Sequence, residues 1–121
     1  MTNDNRMEIA VAHEDSFYVI SIKGDLDASS SILLDNTLKE AVDHHERKIL
    51  VDCTQLNYIS SAGLGVFMSY LQEFENLQTS LILFGISNKI KDVFQILGLD
   101  QLLTIAFSKE DAKMLVNEPL L

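Results

Sequence analysis

The chain has 121 residues, 47% of them hydrophobic, and a formal net charge of −9. That length allows one domain rather than two comfortable cores, and that apolar content argues for a folded globule and against disorder. So acidic a chain is a poor ligand for nucleic acid, where affinity rests on Lys and Arg neutralising phosphates, and for an anionic membrane surface.

No apolar run approaches the roughly 20 residues that span a bilayer. The polar start, Met1 to Arg6, lacks the apolar stretch of a secretory signal, and the one cysteine, Cys53, cannot form an internal disulfide. A cytoplasmic location without direct membrane insertion is therefore expected. A single domain over 1–121 is expected, with frayed ends at 1–6 and 117–121.

Met7 to His13 alternates enough for a half-buried strand, and Glu14-Asp15-Ser16 is a polar turn. Phe17 to Lys23 is rich in aromatic and β-branched residues and predicts the second strand of a hairpin, ended by Gly24-Asp25. Asp27 reads first as a helix-start acid beside the candidate caps Ser29, Ser30 and Ser31. The first helix is predicted over Ser30 to His45, with Leu34, Leu38, Ala41, Val42 and His45 on its buried stripe and Glu40, Asp43 and Glu46 solvated. Adjacent residues on a helix diverge by about 100°, so His44 and His45 do not converge on one metal ion. No metal site and no cofactor are expected.

Lys48 to Asp52 is a short continuous apolar strand, as suits the centre of a sheet covered on both faces. Cys53 to Asn57 reads as a polar turn, with Cys53 a small, partly buried filler. Ser60 or Ser61 then opens a helix as its N-cap. Gly63, Val66, Phe67, Tyr70, Leu71 and Phe74 form the core stripe of that helix. Its opposite face carries Ser61, Gly65, Met68 and Gln72. An exposed Gly in a helix costs roughly 1 kcal/mol relative to Ala. Beside an exposed Met, it reads either as incidental or as a landing site for another protein, with Ser61 at its edge.

Ser80 to Phe84 is a further apolar strand. Ser87-Asn88 supplies caps for a helix with Ile90, Val93, Phe94 and Leu97 on one stripe, stopped by Gly98. Leu99 to Leu102 connects to an edge strand over Leu103 to Phe107, and Ser108-Lys109-Glu110-Asp111 has the capping-box form for a last short helix ending near Val116. This order of strands and helices predicts an α/β domain, an N-terminal hairpin followed by βαβ crossovers. No phosphate loop, dinucleotide fingerprint or nucleophile elbow is present, and no catalytic constellation is recognisable, so the chain is not expected to be an enzyme.

Two stretches carry a family likeness. Tyr58-Ile59-Ser60-Ser61-Ala62-Gly63-Leu64-Gly65-Val66 resembles the signature of STAS domains of the bacterial anti-sigma factor antagonist (anti-anti-sigma factor) type, and Gly24-Asp25-Leu26-Asp27 resembles their Gly-x-Leu-Asp segment. The resemblance implies the STAS fold, an α/β domain with a mixed central sheet and about four helices. It places Ser61 on the family's phosphorylated serine. Ser60 stands where the family often has Asp, which makes it a competing acceptor, and Ala62 stands where it often has Ser or Thr.

The resemblance further implies a signalling phosphoprotein that regulates transcription by partner switching. It would bind an anti-sigma factor serine kinase when unphosphorylated, be released by phosphorylation and be reset by a serine phosphatase, as a monomer or weak dimer. The partner surface would comprise Asp25, Asp27, Ser60, Ser61, Leu64, Gly65, Met68 and Gln72. A different role on the same fold is the accessory STAS subunit of a membrane lipid or solute transporter ATPase. A response-regulator receiver with Asp52 as phospho-acceptor fails, because receivers carry an acidic pair after the first strand and here that strand ends Val11-Ala12-His13.

Overall fold

The computed structural model describes residues 7–117. Of the ends expected to fray, 1–6 and 118–121 lie outside the described residues, while Asn117 closes the last helix. Strands β1 (Glu8–Glu14) and β2 (Phe17–Leu26) pair antiparallel across the turn at Asp15-Ser16, where Asp15 takes a left-handed conformation (φ 58°). Then come α1 (Ser31–Asp43), β3 (Lys48–Ile59), α2 (Ser61–Leu77), β4 (Ser80–Phe84) and α3 (Asn88–Ile96). A 3-10 turn (Leu99–Gln101), β5 (Thr104–Ala106) and α4 (Lys109–Asn117) complete the order. The five strands lie in the order β1-β2-β3-β4-β5, and every pair after the hairpin is parallel. This is the mixed sheet with βαβ crossovers and four helices that the sequence predicts.

Each crossover advances one strand in the same direction, so right-handed connections place α1, α2 and α3 on one face of the sheet. The side-chain alternation of the strands divides the core accordingly. Ile20, Ile22, Ile49, Val51, Cys53 and Leu83 pack with Leu34 and Leu38 of α1, Phe67 and Phe74 of α2, and Ile90 and Phe94 of α3. Phe17, Val19, Leu50, Ile82, Phe84 and Ala106 face the other way, against Ala112 and Val116 of α4. The central Ile49-Leu50-Val51 run is fully buried because β3 is covered on both sides. Lys109 fastens α4 to the hairpin with Nζ 3.1 Å from both Glu14 carboxylate oxygens, and this bond holds the Glu14 carboxyl below its ordinary pKa.

Several boundaries depart from the sequence expectation. β2 does not stop at Gly24-Asp25 but runs on to Leu26, past a register shift eased by the positive φ of Gly24 (101°). Cys53 to Asn57 is not a turn but the second half of β3, because the prolonged β2 gives it a partner through Leu26↔Ile59. Its polar residues are those that face outward, while Cys53, Leu56 and Ile59 are buried. α1 ends at Asp43, and His45 is exposed in a left-handed conformation (φ 61°) rather than on the buried stripe. Glu46 N donates to Ala41 O and His45 N to Val42 O, the double bond of a Schellman stop. Val93 of α3 and Leu97 just beyond it are exposed, so only Ile90 and Phe94 of that predicted stripe reach the core. β5 is shorter than predicted, and Phe107 beyond it is exposed.

α2 begins where β2 and β3 end, and it comes so close that one position has no room for a side chain. A Cβ on Gly63 would lie 2.8 Å from Cγ and Cδ2 of Leu26 and 3.1 Å from Cγ1 of Ile59. Leu26 is itself fully buried and has nowhere to move. A Cβ on Gly65 would meet nothing within 4 Å. Gly63→Ala should therefore destabilise the fold by about 1–3 kcal/mol through overpacking, and Gly65→Ala should stabilise it by up to about 1 kcal/mol through helix propensity. Denaturant titration of both variants checks this. Shifts of the same sign would refute the packing account.

Candidate functional site

The pairing of β2 with β3 brings two chain segments together at the carboxyl ends of the strands. Asp25 is the Cα partner of Tyr58 and Leu26 of Ile59, and Ser60 N donates to Leu26 O at 2.8 Å. From that point β2 leads through Asp27 into α1, and β3 leads through Ser60 into α2. The helices lie side by side, with the Tyr70 hydroxyl of α2 donating to Asp35 Oδ1 of α1 at 2.8 Å. Burial and this bond push the Tyr70 hydroxyl pKa up. Their N-termini therefore sit at the same end of the molecule.

The two candidate serines occupy different environments. Ser60 is the N-cap of α2, in extended conformation, and its Oγ accepts a hydrogen bond from Gly63 N at 3.2 Å. It is half-buried. Ser61 is the first residue of the helix proper and is exposed. Its hydroxyl stands in the first turn, where unpaired backbone N–H groups and the positive end of the dipole favour negative charge.

Asp27 performs the helix-start role read from the sequence, in a particular way. Its Oδ1 accepts from Ser30 N at 3.0 Å, from the Ser29 hydroxyl at 2.9 Å and lies 2.9 Å from the Ser30 hydroxyl. Asp27 N donates to Ser30 Oγ at 2.9 Å, and Asp27 O accepts from Ser31 N at 2.9 Å. The Ser30 backbone N–H leads the causes that lower the Asp27 pKa, with the two hydroxyls adding to it, so the carboxylate is charged at neutral pH. Ser30, though at the N-cap position, makes no side-chain cap bond of its own, because its hydroxyl is engaged with Asp27.

The remaining expected surface residues divide. Gly65 and Gln72 are exposed, Asp25 and Met68 are half-buried. Leu64 is only 5% exposed and belongs to the core, because at helical spacing it turns toward the sheet beside Phe67. Met68, Leu71 and Gln72 continue into a groove of about 620 Å³ that reaches Leu102 and Leu115. Two residues that the sequence reading passed over stand at this end of the molecule. Tyr58 is 49% exposed next to Asp25, and Ile32 is 62% exposed in the first turn of α1. The signal for the second was legible, since Ile32-Leu33-Leu34 are consecutive apolar residues, and a surface helix with one apolar stripe on the core cannot bury all three on it.

Residues 49–88 contain no Lys or Arg, and the charged residues of α2 are Glu73 and Glu75. Cys53, on β3, is fully buried in the core, where burial pushes its thiol pKa far up and makes it unreactive. Among the described residues no group of three or more His, Cys, Asp or Glu side chains is placed to hold a metal ion, and no helix is long and apolar enough to cross a membrane.

Comparison with known proteins agrees with this architecture. The STAS domain family model matches residues 8–112. BtrV of Bordetella bronchiseptica, described as an anti-sigma factor antagonist, is 28% identical over 106 residues, covering 88% of this chain and 91% of that protein. The anti-sigma-B factor antagonist of Listeria monocytogenes is 29% identical over 104 residues, covering 82% of this chain and 88% of its own. The crystal structure of an anti-sigma factor antagonist from Mycobacterium paratuberculosis superposes with a TM-score of 0.87 at 16% identity, over 98% of this chain and 100% of the other. With its sheet order, its Ser-Ser-Ala-Gly helix start and a family match along nearly its whole length, the chain belongs to the STAS domain family and is similar to anti-sigma factor antagonists within it.

Proposed function

We propose that the chain is a cytoplasmic partner-switching regulator, an antagonist that binds an anti-sigma factor serine kinase through the Ser61 end of the molecule and is released when Ser61 is phosphorylated. The docking surface comprises Asp25, Asp27, Ser60, Ser61, Gly65, Met68 and Gln72, with Leu64 supporting it from beneath. The observation that carries this reading is the division of labour between the serines: the Ser60 oxygen is occupied in capping α2, and Ser61 is exposed in the first turn.

In the phosphorylation step the Ser61 hydroxyl oxygen attacks the γ-phosphorus of the kinase's ATP, its proton is lost and ADP departs. A serine phosphatase returns the hydroxyl by hydrolysing the ester with water. The antagonist is the substrate of both reactions and supplies no catalytic group to either.

The physics of the switch lies in where the phosphate lands. It adds about −1.5 to −2 charges at pH 7. The helix N-terminus tolerates that charge, so the fold survives. Within a contact surface the same charge must be desolvated or paired, and an uncompensated one costs several kcal/mol. Since each 1.4 kcal/mol is about tenfold in affinity, a single phosphate suffices to switch binding off.

A pull-down with wild type and Ser61→Asp, partners identified by mass spectrometry, tests the assignment of the partner. A small ATP-binding serine kinase should be captured by wild type and by Ser61→Ala, and much less by Ser61→Asp. Phosphopeptide mapping after incubation with that kinase and ATP should find the label on Ser61. Ser60→Ala should lower stability by about 1 kcal/mol through the lost cap and leave the label in place. Label on Ser60 alone, with Ser61→Ala labelled normally, would sink the assignment. Gly65→Arg should abolish kinase binding without lowering the thermal midpoint, because its side chain enters open space and Arg is a better helix former than Gly. Wild-type affinity in that variant would move the interface elsewhere.

A further inference from the structure

The first turn of α1 carries a side chain that the fold does not use. α1 buries Ser31, Leu34, Leu38 and Ala41. A helix turns about 100° per residue, which sends Ile32 away from that stripe and into solvent. The neighbouring Leu33 is different. It leans over β1 and lines a shallow groove of about 260 Å³ with Ile9, Val11 and Tyr18. Ile32 thus forgoes local preference twice: a β-branched residue is a mediocre helix former, and the first turn favours an acidic one.

One exposed apolar residue is ordinary on any surface. The position of this one is not. α1 and α2 start at the same end of the sheet, joined by Ser60 N to Leu26 O and by Tyr70 to Asp35. Packed helices have axes about 8–10 Å apart, and a standard interface covers roughly 800 Å² on each partner. A footprint centred on Ser61 and Gly65 therefore spans the first turn of α1 as well. The ground between is anionic, with Asp25, Asp27 and Asp35 on one side and the cation-free stretch 49–88 on the other. The nearest cation on α1, Lys39, is about two turns further along.

We infer that Ile32 is an apolar anchor of the docking surface, and that the kinase meets it with an apolar pocket bordered by Lys or Arg side chains. This rests on the reading under Proposed function and extends the footprint from α2 to α1. The charges govern how fast the partners meet and how that rate falls with salt, whereas the buried anchor governs how long they stay together.

The experiment is surface plasmon resonance with the purified kinase identified by the pull-down, against wild type, Ile32→Asp, Ile32→Leu and Gly65→Arg. Ile32→Asp should weaken binding by about tenfold or more, mainly through faster dissociation, the scale of an interface hot spot. Its thermal midpoint should hold or rise, since the acid suits a first turn. Ile32→Leu should stay within about threefold of wild type. Affinity within about twofold of wild type for Ile32→Asp, with binding abolished by Gly65→Arg, would overturn the anchor and leave the Ser61 surface standing. If Gly65→Arg and Ser61→Asp also bind as wild type does, the whole surface falls and the anchor with it.

Discussion

The structure depends on how far β2 and β3 stay paired. The parallel ladder continues to Leu26 and Ile59, and Ser60 N closes it on Leu26 O at 2.8 Å. That last bond fixes the entry of α2 relative to the exit of β2. It forces the first turn of α2 onto the Leu26 side chain, which leaves no room for a Cβ at Gly63. It also sets the Asp27 turn beside Ser60, so that the N-termini of α1 and α2 form one surface. Without the extended pairing these segments would be two unrelated loops.

The consequence is a division between adjacent residues. Ser60 has a structural duty, as its oxygen satisfies a backbone donor that would otherwise lack a partner. Ser61, one position on, faces water. A charge placed on Ser61 meets a favourable dipole along the helix and an unfavourable anionic field across the surface. The first favours the folded chain, and the second raises the cost of burying a further unpaired negative charge beneath a partner. The network around Asp27 adds to the same field, because its hydrogen bonds hold that carboxylate in the charged form.

The two faces of the sheet divide the work. α4 covers the far face and is held to the hairpin by Lys109 and Lys113 around Glu14. α1 and α2 cover the near face and carry the candidate site. α3, on the same face, buries only Ile90 and Phe94. Among the exposed apolar side chains at this end of the molecule, Ile32 and Tyr58 belong to the elements that frame Ser61.

Hydrophobic periodicity alone determined the element order, the hairpin and the α/β class, because patterns such as Ile49-Leu50-Val51 and Gly63-Phe67-Phe74 reflect burial directly. Local chemistry determined that a serine opens α2. What sequence could not decide was set by contacts distant along the chain. Cys53 to Asn57 reads as a turn by composition and becomes a strand because β2 continues beside it. His45 shares a helical phase with Leu38 and Ala41, yet a Schellman stop removes it from the helix. Leu64 sits within the motif and looks like surface, but the close seating of α2 on Leu26 turns it into core. Which serine caps and which is exposed depended on where that seating starts the helix, and only the tertiary structure, by pairing Ser60 with Leu26, decided it.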